Sequence, residues 1–394
     1  MLKILVIIPS GTVYGLQNVT LNLMRSLPKK EFDCHFLNTR WTDGELVRRL
    51  DELKIPYTYS WIGMFSRKLD WDNLRMTIHC LLRIPRLYLD FLALVKSYQP
   101  EVIYTANYHE LILLAPLLRA MKIPILCHLH DPPPSIPFQR KIFWLWDQPV
   151  SKYIAVSRSV QKRLEKLGAN SEKISLLENG VDLSLFCYMA KRSDHFVKRY
   201  NWPSASVILG MTGQMIEEKG HLDLIEVVKF LYRDYRDIRL VIGGKQTGSY
   251  YQRLASELTN KGMLDIVAFS GWQEDVRNFF SGIDIFLFPS HHEEGFGLVA
   301  AQAMATGLPV VATRSGGVSE VLESGVTGFL LEKGSPSRLA SAISCLVKSQ
   351  QLRRSMGMAG RRRVEERFDL SKQVAQFKTI LHSLANGVKP LVHD

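Results

Sequence analysis

Short apolar runs alternate with helix-length amphipathic stretches along nearly the whole chain, which predicts an α/β protein of two Rossmann-like domains. Three observations carry that expectation. Strands alternating with helices require parallel sheets with right-handed crossovers. A length of 394 residues exceeds what one ordinary core holds. The alternation also weakens once, through "LSLFCYMAKRSDHFVKRYNWPSAS", and restarts at "VILGMTGQ". A linker near 183–205 therefore separates an N-terminal domain, residues 1–185, from a C-terminal domain, residues 186–394. Such sheets bind ligands beyond the carboxyl ends of their strands, so the site is expected in the cleft where the two domains face each other.

In the first series "KILVII", "FDCHFL", "EVIYT", "PILCHLH", "KYIAVS" and "KISLLENG" read as buried strands, each bounded by Pro, Gly or polar residues. "LQNVTLNLMRSL" and "ELVRRLDEL" carry helical apolar spacing. The opening "MLKILVIIPSG" has too short an apolar run for a leader peptide, and Pro9-Ser10-Gly11 stops it as a buried strand stops. Residues 66–99 are helical in pattern, basic and aromatic-rich. They read as a crossover helix pair broken at Pro85, or as a surface that touches a membrane or a lipid-linked acceptor. Asp70 and Asp72, around Trp71, read as helix-start residues rather than metal ligands. The second series continues with "RLVIGG", "DIVAFSG", "DIFLFPS", "PVVAT" and "GFLLE", and "RRRVEERF" at 361–368 reads as a charged face of the terminal helix.

Composition narrows the class. Hydrophobic content of 46% with 22% charged residues is globular, and the mean hydropathy of −0.03 argues against an integral membrane protein. No apolar run approaches the roughly 18 residues a spanning helix needs. Cys34, Cys80, Cys127, Cys187 and Cys345 are scattered and without paired spacing, so they read as small buried residues in a reducing compartment. The net charge of +12 is spread over both halves: 24 Lys+Arg against 17 Asp+Glu through residue 185, then 26 against 21. No nucleic-acid motif accompanies it. An anionic membrane surface, a phosphorylated substrate and a solvated basic surface all fit.

The chemistry concentrates in "PSHHEEGFGLVAAQAMATGLPVVATRSGG", residues 289–317. An apolar strand ends in a loop, and the loop enters a helix expected to begin near Phe296. Gly295 and Gly297 let backbone approach a ligand closely, and the free amides of Phe296, Gly297 and Leu298 would face an anion. Carboxylates beside a phosphate site conflict with it unless they bind hydroxyls, which a carboxylate accepts well. The pattern thus predicts a phosphorylated sugar, with its phosphate on the amides and its hydroxyls on Glu294. His128 and His130 share one face of their strand, with Cys127 on the other, and no third ligand stands at recognisable spacing, so no metal site is expected.

The stretch from Pro289 to Leu331 resembles the C-terminal core of the family 4 retaining glycosyltransferases, which have the GT-B fold. The resembling pattern is Glu294, Gly-Phe-Gly-Leu, Ala-Met-Ala-x-Gly-x-Pro-Val-Val-Ala and a Gly-Gly-x-x-Glu ending at Glu320. "VYGLQNVTLNLMRSL", "ILCHLHDPP", "IAVSRSV", "ENGVD" and "MTGQMIEEKGHLDLIEVV" resemble the family's other landmarks in order. The resemblance implies a terminal helix that crosses back to the first domain. It also implies Glu294 at the transferred sugar, Gly295, Phe296, Gly297 and Leu298 along the diphosphate, Lys219 neutralising the leaving phosphates, His130 at the donor sugar and Gly15 near the diphosphate. Three positions depart from the pattern. Gln302 replaces the family's ribose-binding glutamate, Gln214 replaces an arginine on the diphosphate, and Tyr14 replaces the first of two loop glycines.

The expected function is therefore retaining transfer of a sugar from a nucleotide-sugar donor to a hydroxyl acceptor, with no cofactor and no required metal. The acceptor would be a glycan, a glycolipid or a small hydroxyl compound, and the protein would be cytoplasmic, with contact to an anionic inner membrane face. A nicotinamide oxidoreductase fails on detail, because the first loop reads "PSGTVYG" and the second strand ends "FLNTR" without a ribose-binding acid. A non-catalytic sugar-nucleotide-binding subunit is motivated by Gln214 and Gln302, and an epimerase would convert donor without acceptor.

Overall fold

The structure, a computed structural model, describes residues 1–10, 12–41, 44–63, 71–133, 143–144 and 146–386, with the backbone alone at 72, 73 and 76. The chain forms two units: Met1–Asn179 with the chain from Ser371 onward, and Gly180–Leu370. The division thus falls ahead of the expected 185/186. The reason is a backbone pairing. Val181 bridges Asp369, its amide donating to Phe368 O at 2.7 Å while Leu370 N donates back to Val181 O at 3.1 Å. The C-terminal helix Leu370–Asn386 is grouped with the first unit from Ser371 on, not with residues 186–370. Its Phe377 is fully buried and meets Tyr104 edge-on, and its Gln373 reaches Asn179 at 3.4 Å.

The first unit holds a parallel sheet of β1 (Leu2–Ile7), β2 (Phe32–Thr39), β3 (Tyr57–Ser60), β4 (Val102–Thr105), β5 (Ile125–Leu129), β6 (Lys152–Ala155) and β7 (Ile174–Leu176). Its spatial order is β3-β2-β1-β4-β5-β6-β7 among the described residues. The second unit holds β8 (Val207–Thr212), β9 (Ile238–Gly243), β10 (Val267–Gly271), β11 (Ile285–Phe288), β12 (Val310–Thr313) and β13 (Gly328–Leu331), ordered β10-β9-β8-β11-β12-β13 and also parallel. Each quoted run contains a strand, and those buried on both faces read as continuous apolar runs, whereas β7 is half-buried throughout. The exception is β3. This edge strand, "YTYS", buries only Ser60, so it carries no apolar signal.

Helices cover the sheets as their spacing predicts. In the second unit His221–Leu231 buries Leu224, Ile225, Val228 and Leu231, and Pro336–Lys348 buries Leu339, Ile343 and Leu346 in the same core. Residues 71–98 form two helices, Trp71–Leu82 and Ile84–Tyr98, parted at Arg83, with Pro85 in the first turn of the second, where its missing amide costs nothing. Asp70 lies outside the described residues. No helix among them is long and apolar enough to cross a membrane. The expected burial of the cysteines holds for Cys80 and Cys127 only. Cys34 is half-buried, and Cys187 and Cys345 are exposed.

One buried acid stands apart from any site expectation. Glu110, on the helix His109–Ala120, is 5% exposed, and its Oε2 has no partner among the described residues. Burial pushes its carboxyl up to about 7 from an ordinary 4.5. A raised carboxylate keeps its proton in the folded chain while the unfolded chain ionises. Folded stability is therefore lost as pH rises from the unfolded value through the folded one. Glu110→Gln removes this titration. In urea unfolding its stability relative to the parent should grow by about 3 kcal/mol between about pH 4.5 and pH 8. A flat difference would mean that Glu110 is solvated or paired.

Sheet order places the sites. Strand order reverses beside β1 and β4 in the first sheet and beside β8 and β11 in the second. Ligands of open α/β sheets bind beyond the strand ends at such points.

Candidate functional site

In the second unit the loops leaving β8 and β11 are fastened to each other. The β8 loop ends in a turn, Glu217–Lys219, closed by Gly220 at φ +77°. A Cβ at Gly220 would lie 2.2 Å from Pro289 O, so only glycine permits this approach. Across the gap His291 N and His292 N donate to Glu218 O at 2.7 and 3.2 Å, and the His291 ring meets Asp223 at 2.7 Å.

This clamp brings Lys219 to Glu294. Lys219 Nζ donates to Glu294 Oε1 at 2.6 Å, and Ser290 Oγ donates to the same oxygen at 2.5 Å. Glu294 is 8% exposed, so its charge is held by those two donors rather than by bulk water. Ser290 is buried in turn, and its carbonyl accepts from Thr313 Oγ1 at 2.5 Å. The two adjacent carboxylates thus part company: Glu293 is exposed and pairs with Lys333, while Glu294 enters the buried cluster.

The Gly-Gly of the motif answers to packing. Gly317 N donates to Glu294 O at 2.8 Å, and a Cβ on Gly317 would lie 2.2 Å from Gly295 O. The second loop can therefore lie directly against the backbone of Glu294 and Gly295. The helix starts later than expected. It runs Leu298–Ala305 behind Gly297, so its leading amides belong to Leu298 and Val299 rather than Phe296. Phe296 is instead buried against Phe368, ring centroids 5.4 Å apart. Gln302 is half-buried on this helix, Gln214 is exposed in the β8 loop, and neither side chain has a protein partner among the described residues. Glu320 lies half-buried on the helix Val318–Val321.

The expected charged face at 361–368 is only partly that. Arg361 Nη1 donates to Ala305 O and Phe186 O, and Arg363 donates to Val321 O and Glu320 O. Apart from Phe186 O, which lies outside any helix, these carbonyls are ones left open at the ends of the helices Leu298–Ala305 and Val318–Val321. The segment belongs to the helix Gln350–Arg367, one helix before the C-terminal one.

In the first unit Gly15 begins the helix Gly15–Ser26, and a Cβ there would meet nothing within 4 Å. Tyr14 caps that helix, its amide donating to Gln17 Oε1 at 3.0 Å. His130 follows β5, is 7% exposed, and neither ring nitrogen has a partner among the described residues. Its ring lies 4.1 Å from that of His128, whose Nδ1 meets Tyr104 Oη at 2.8 Å. Burial pushes His130 down to about 3, and burial with the neighbouring His130 ring pushes His128 well below its ordinary range. Both rings are neutral at pH 7. Cys127 points elsewhere, its Sγ toward Asn107 O.

The structure therefore brings Lys219 and Glu294 together with Ser290, a residue that sequence reasoning missed. Ser290 ends the quoted strand "DIFLFPS", but nothing in a sequence pattern separates a serine that holds a carboxylate from one that merely ends a turn. Among the described residues no group of three or more His, Cys, Asp or Glu is placed to hold a metal ion.

Comparison with known proteins extends this geometry. Residues 193–363 match the family described as Glycosyl transferases group 1, and residues 13–185 match Glycosyltransferase Family 4. The chain is 29% identical to the N-acetyl-alpha-D-glucosaminyl L-malate synthase of Bacillus anthracis over 60% of each chain. It is 28% identical to the capsular polysaccharide biosynthesis glycosyltransferase CapM of Staphylococcus aureus, over 55% of this chain and 57% of that one. The matched segment thus spans less than two thirds of either relative. Among solved structures, Anabaena Alr3699/HepE in complex with UDP and glucose superposes with a TM-score of 0.81 at 22% identity, covering 97% of this chain and all of that one. That likeness establishes the fold.

Proposed function

The chain belongs to the family 4, group 1 glycosyltransferases, and we propose that it transfers a sugar from a nucleotide-sugar donor to a hydroxyl acceptor, with retention and without a required metal. The observation that carries this reading is the cluster beyond β8 and β11 in which half-buried Lys219 meets buried Glu294 and Ser290. It offers one cation for a leaving diphosphate and one oriented carboxylate for sugar hydroxyls. The relatives' roles in capsule and small glycoside synthesis support a glycan, glycolipid or small hydroxyl acceptor. UDP in the HepE complex makes UDP-sugars the first donors to test.

In this reading the acceptor oxygen forms a bond to the anomeric carbon on the face the diphosphate leaves, and the bond from that carbon to the diphosphate oxygen breaks. The acceptor proton passes to the leaving phosphate. Lys219 stabilises the negative charge that develops on that phosphate. Glu294, still held by Ser290, accepts from the sugar hydroxyls. Gly295, Gly297 and Leu298 present backbone to the diphosphate, and Gln302 and Gln214 supply neutral contacts to the nucleotide. Gly15 and the neutral His130 are assigned to donor contact on the family resemblance. Exclusion of water protects the donor from hydrolysis. A cytoplasmic location, at the inner membrane face, belongs to the same reading.

A thermal-shift series with UDP-, GDP-, ADP- and TDP-sugars, with and without magnesium, tests it, because a ligand that binds only the folded state raises Tm. The expected result is a rise with one nucleotide family, abolished in Glu294→Ala, and transfer or slow donor hydrolysis by the purified chain. No rise with any donor overturns the reading. A rise with no turnover selects the non-catalytic binding subunit that Gln214 and Gln302 suggest, and donor conversion without acceptor selects an epimerase.

A further inference from the structure

Large apolar side chains are exposed very unevenly. Among the described residues, seven of the eighteen exposed large hydrophobics lie between residues 71 and 92: Trp71, Leu74, Ile78, Leu81, Leu82, Leu89 and Leu92. Trp71 is 78% exposed, Leu82 73% and Leu89 63%, values at which nothing among the described residues covers them. They do not lie at random on their helices. Trp71, Leu74, Arg75, Ile78, His79 and Leu82 follow helical spacing along one face of Trp71–Leu82 and line a single groove there.

The following helix repeats the device. Ile84–Tyr98 buries Leu87, Phe91 and Leu94 in the first unit's core, so its ordinary apolar stripe is already used. Its other side exposes Arg86, Leu89, Leu92 and Lys96. Monomeric soluble proteins rarely leave apolar side chains clustered in this way without a partner.

The charge on these faces selects the partner. Arg75 and His79 are interleaved with the apolar residues of the first helix, and Arg86 and Lys96 with those of the second. The only acid of Ile84–Tyr98, Asp90, is half-buried and taken by Arg86 at 2.9 Å. Over residues 71–98 four basic residues stand against two acidic ones. A face mixing Trp and Leu with Arg and Lys suits an interface between hydrocarbon and anionic head groups. Apolar side chains enter the acyl boundary, and the long basic stems reach back to phosphate.

We propose that the exposed faces of Trp71–Leu82 and Ile84–Tyr98 dock on the surface of an anionic phospholipid bilayer. Docking itself does not depend on the glycosyltransferase reading; its purpose, bringing the chain to a membrane-borne acceptor, does.

Sedimentation with vesicles tests the proposal. The full chain is expected to bind vesicles of phosphatidylcholine and phosphatidylglycerol in equal parts, to ignore phosphatidylcholine alone, and to release in high salt. The triple variant Trp71→Ser, Leu82→Gln, Leu89→Gln should bind at least about tenfold more weakly, since three insertions are lost. Arg75→Glu with Lys96→Glu should lose binding to the anionic vesicles alike. All these side chains are exposed, so both variants should keep the parent Tm. Parent-like binding by either variant, or no preference for anionic vesicles, overturns the proposal. So does a dimer in solution that the triple variant converts to monomer, which would give this face to a second copy of the chain. The same preparations, challenged with nucleotide-sugars, separate the two questions: vesicle binding without any donor response sinks the transferase reading and leaves the docking face standing.

Discussion

Lys219→Ala is expected to lower kcat for sugar transfer by about a hundredfold to a thousandfold, the usual consequence of removing one preorganised charge from a developing oxyanion. It should also destabilise the chain, because Glu294 would keep, among the described residues, only Ser290 as a side-chain donor while remaining buried. Breaking a buried pair from one side costs about 3 kcal/mol, less here to the extent that Lys219 retains some solvent contact. The two losses can be separated. Lys219→Met combined with Glu294→Gln removes both charges, so Tm should recover while transfer stays lost. Lys219→Arg keeps the charge on a different geometry and should retain part of the activity. If Lys219→Ala keeps parent kcat with the donor that raises Tm, the lysine only anchors Glu294 and the leaving group is neutralised elsewhere.

Gly317→Ala is expected to have the second largest effect, although Gly317 offers no side chain to any substrate. Its new Cβ would stand 2.2 Å from Gly295 O and 2.8 Å from Phe296 Cα. Both are backbone atoms, so relief requires the loop bearing Glu294 to move. A displacement of roughly 1 Å at a reacting centre costs about a hundredfold in rate. Overpacking of this size costs about 1–3 kcal/mol in stability. Transfer should therefore fall further than the drop in Tm alone explains, and Glu294→Gln added to Gly317→Ala should cost much less than it does in the parent. Parent kcat/KM in Gly317→Ala would mean that the two loops are not held as closely as their hydrogen bond implies.

Much of the fold was legible in the sequence because parallel strands buried on both faces write their burial locally, as short apolar runs between Gly and Pro. Each of those runs became a strand, and the helix pair at 71–98 parted beside Pro85. The glycine-rich stretch 289–317 was legible for a similar reason: close approach and left-handed backbone restrict residue type at single positions. Those features belong to one residue or to its near neighbours. Strand β3 escaped because an exposed four-residue edge has no apolar face to declare.

What only the tertiary structure decided are the pairings between distant positions. Lys219 and Glu294 stand 75 residues apart and meet because β8 and β11 are neighbours in the sheet, an order that neither segment encodes. Ser290 became a partner of Glu294, Arg361 and Arg363 became caps for the site's helices, and Gly317 proved necessary through Gly295, a residue in another loop. The division between the units moved to Asn179/Gly180 through the pairing of Val181 with Asp369. In each case the sequence by itself determined which residue types were available. Which of them lost their water to each other was settled by the packing of elements far apart in the chain, and that exchange of solvent for a protein partner gives a buried charge its chemistry.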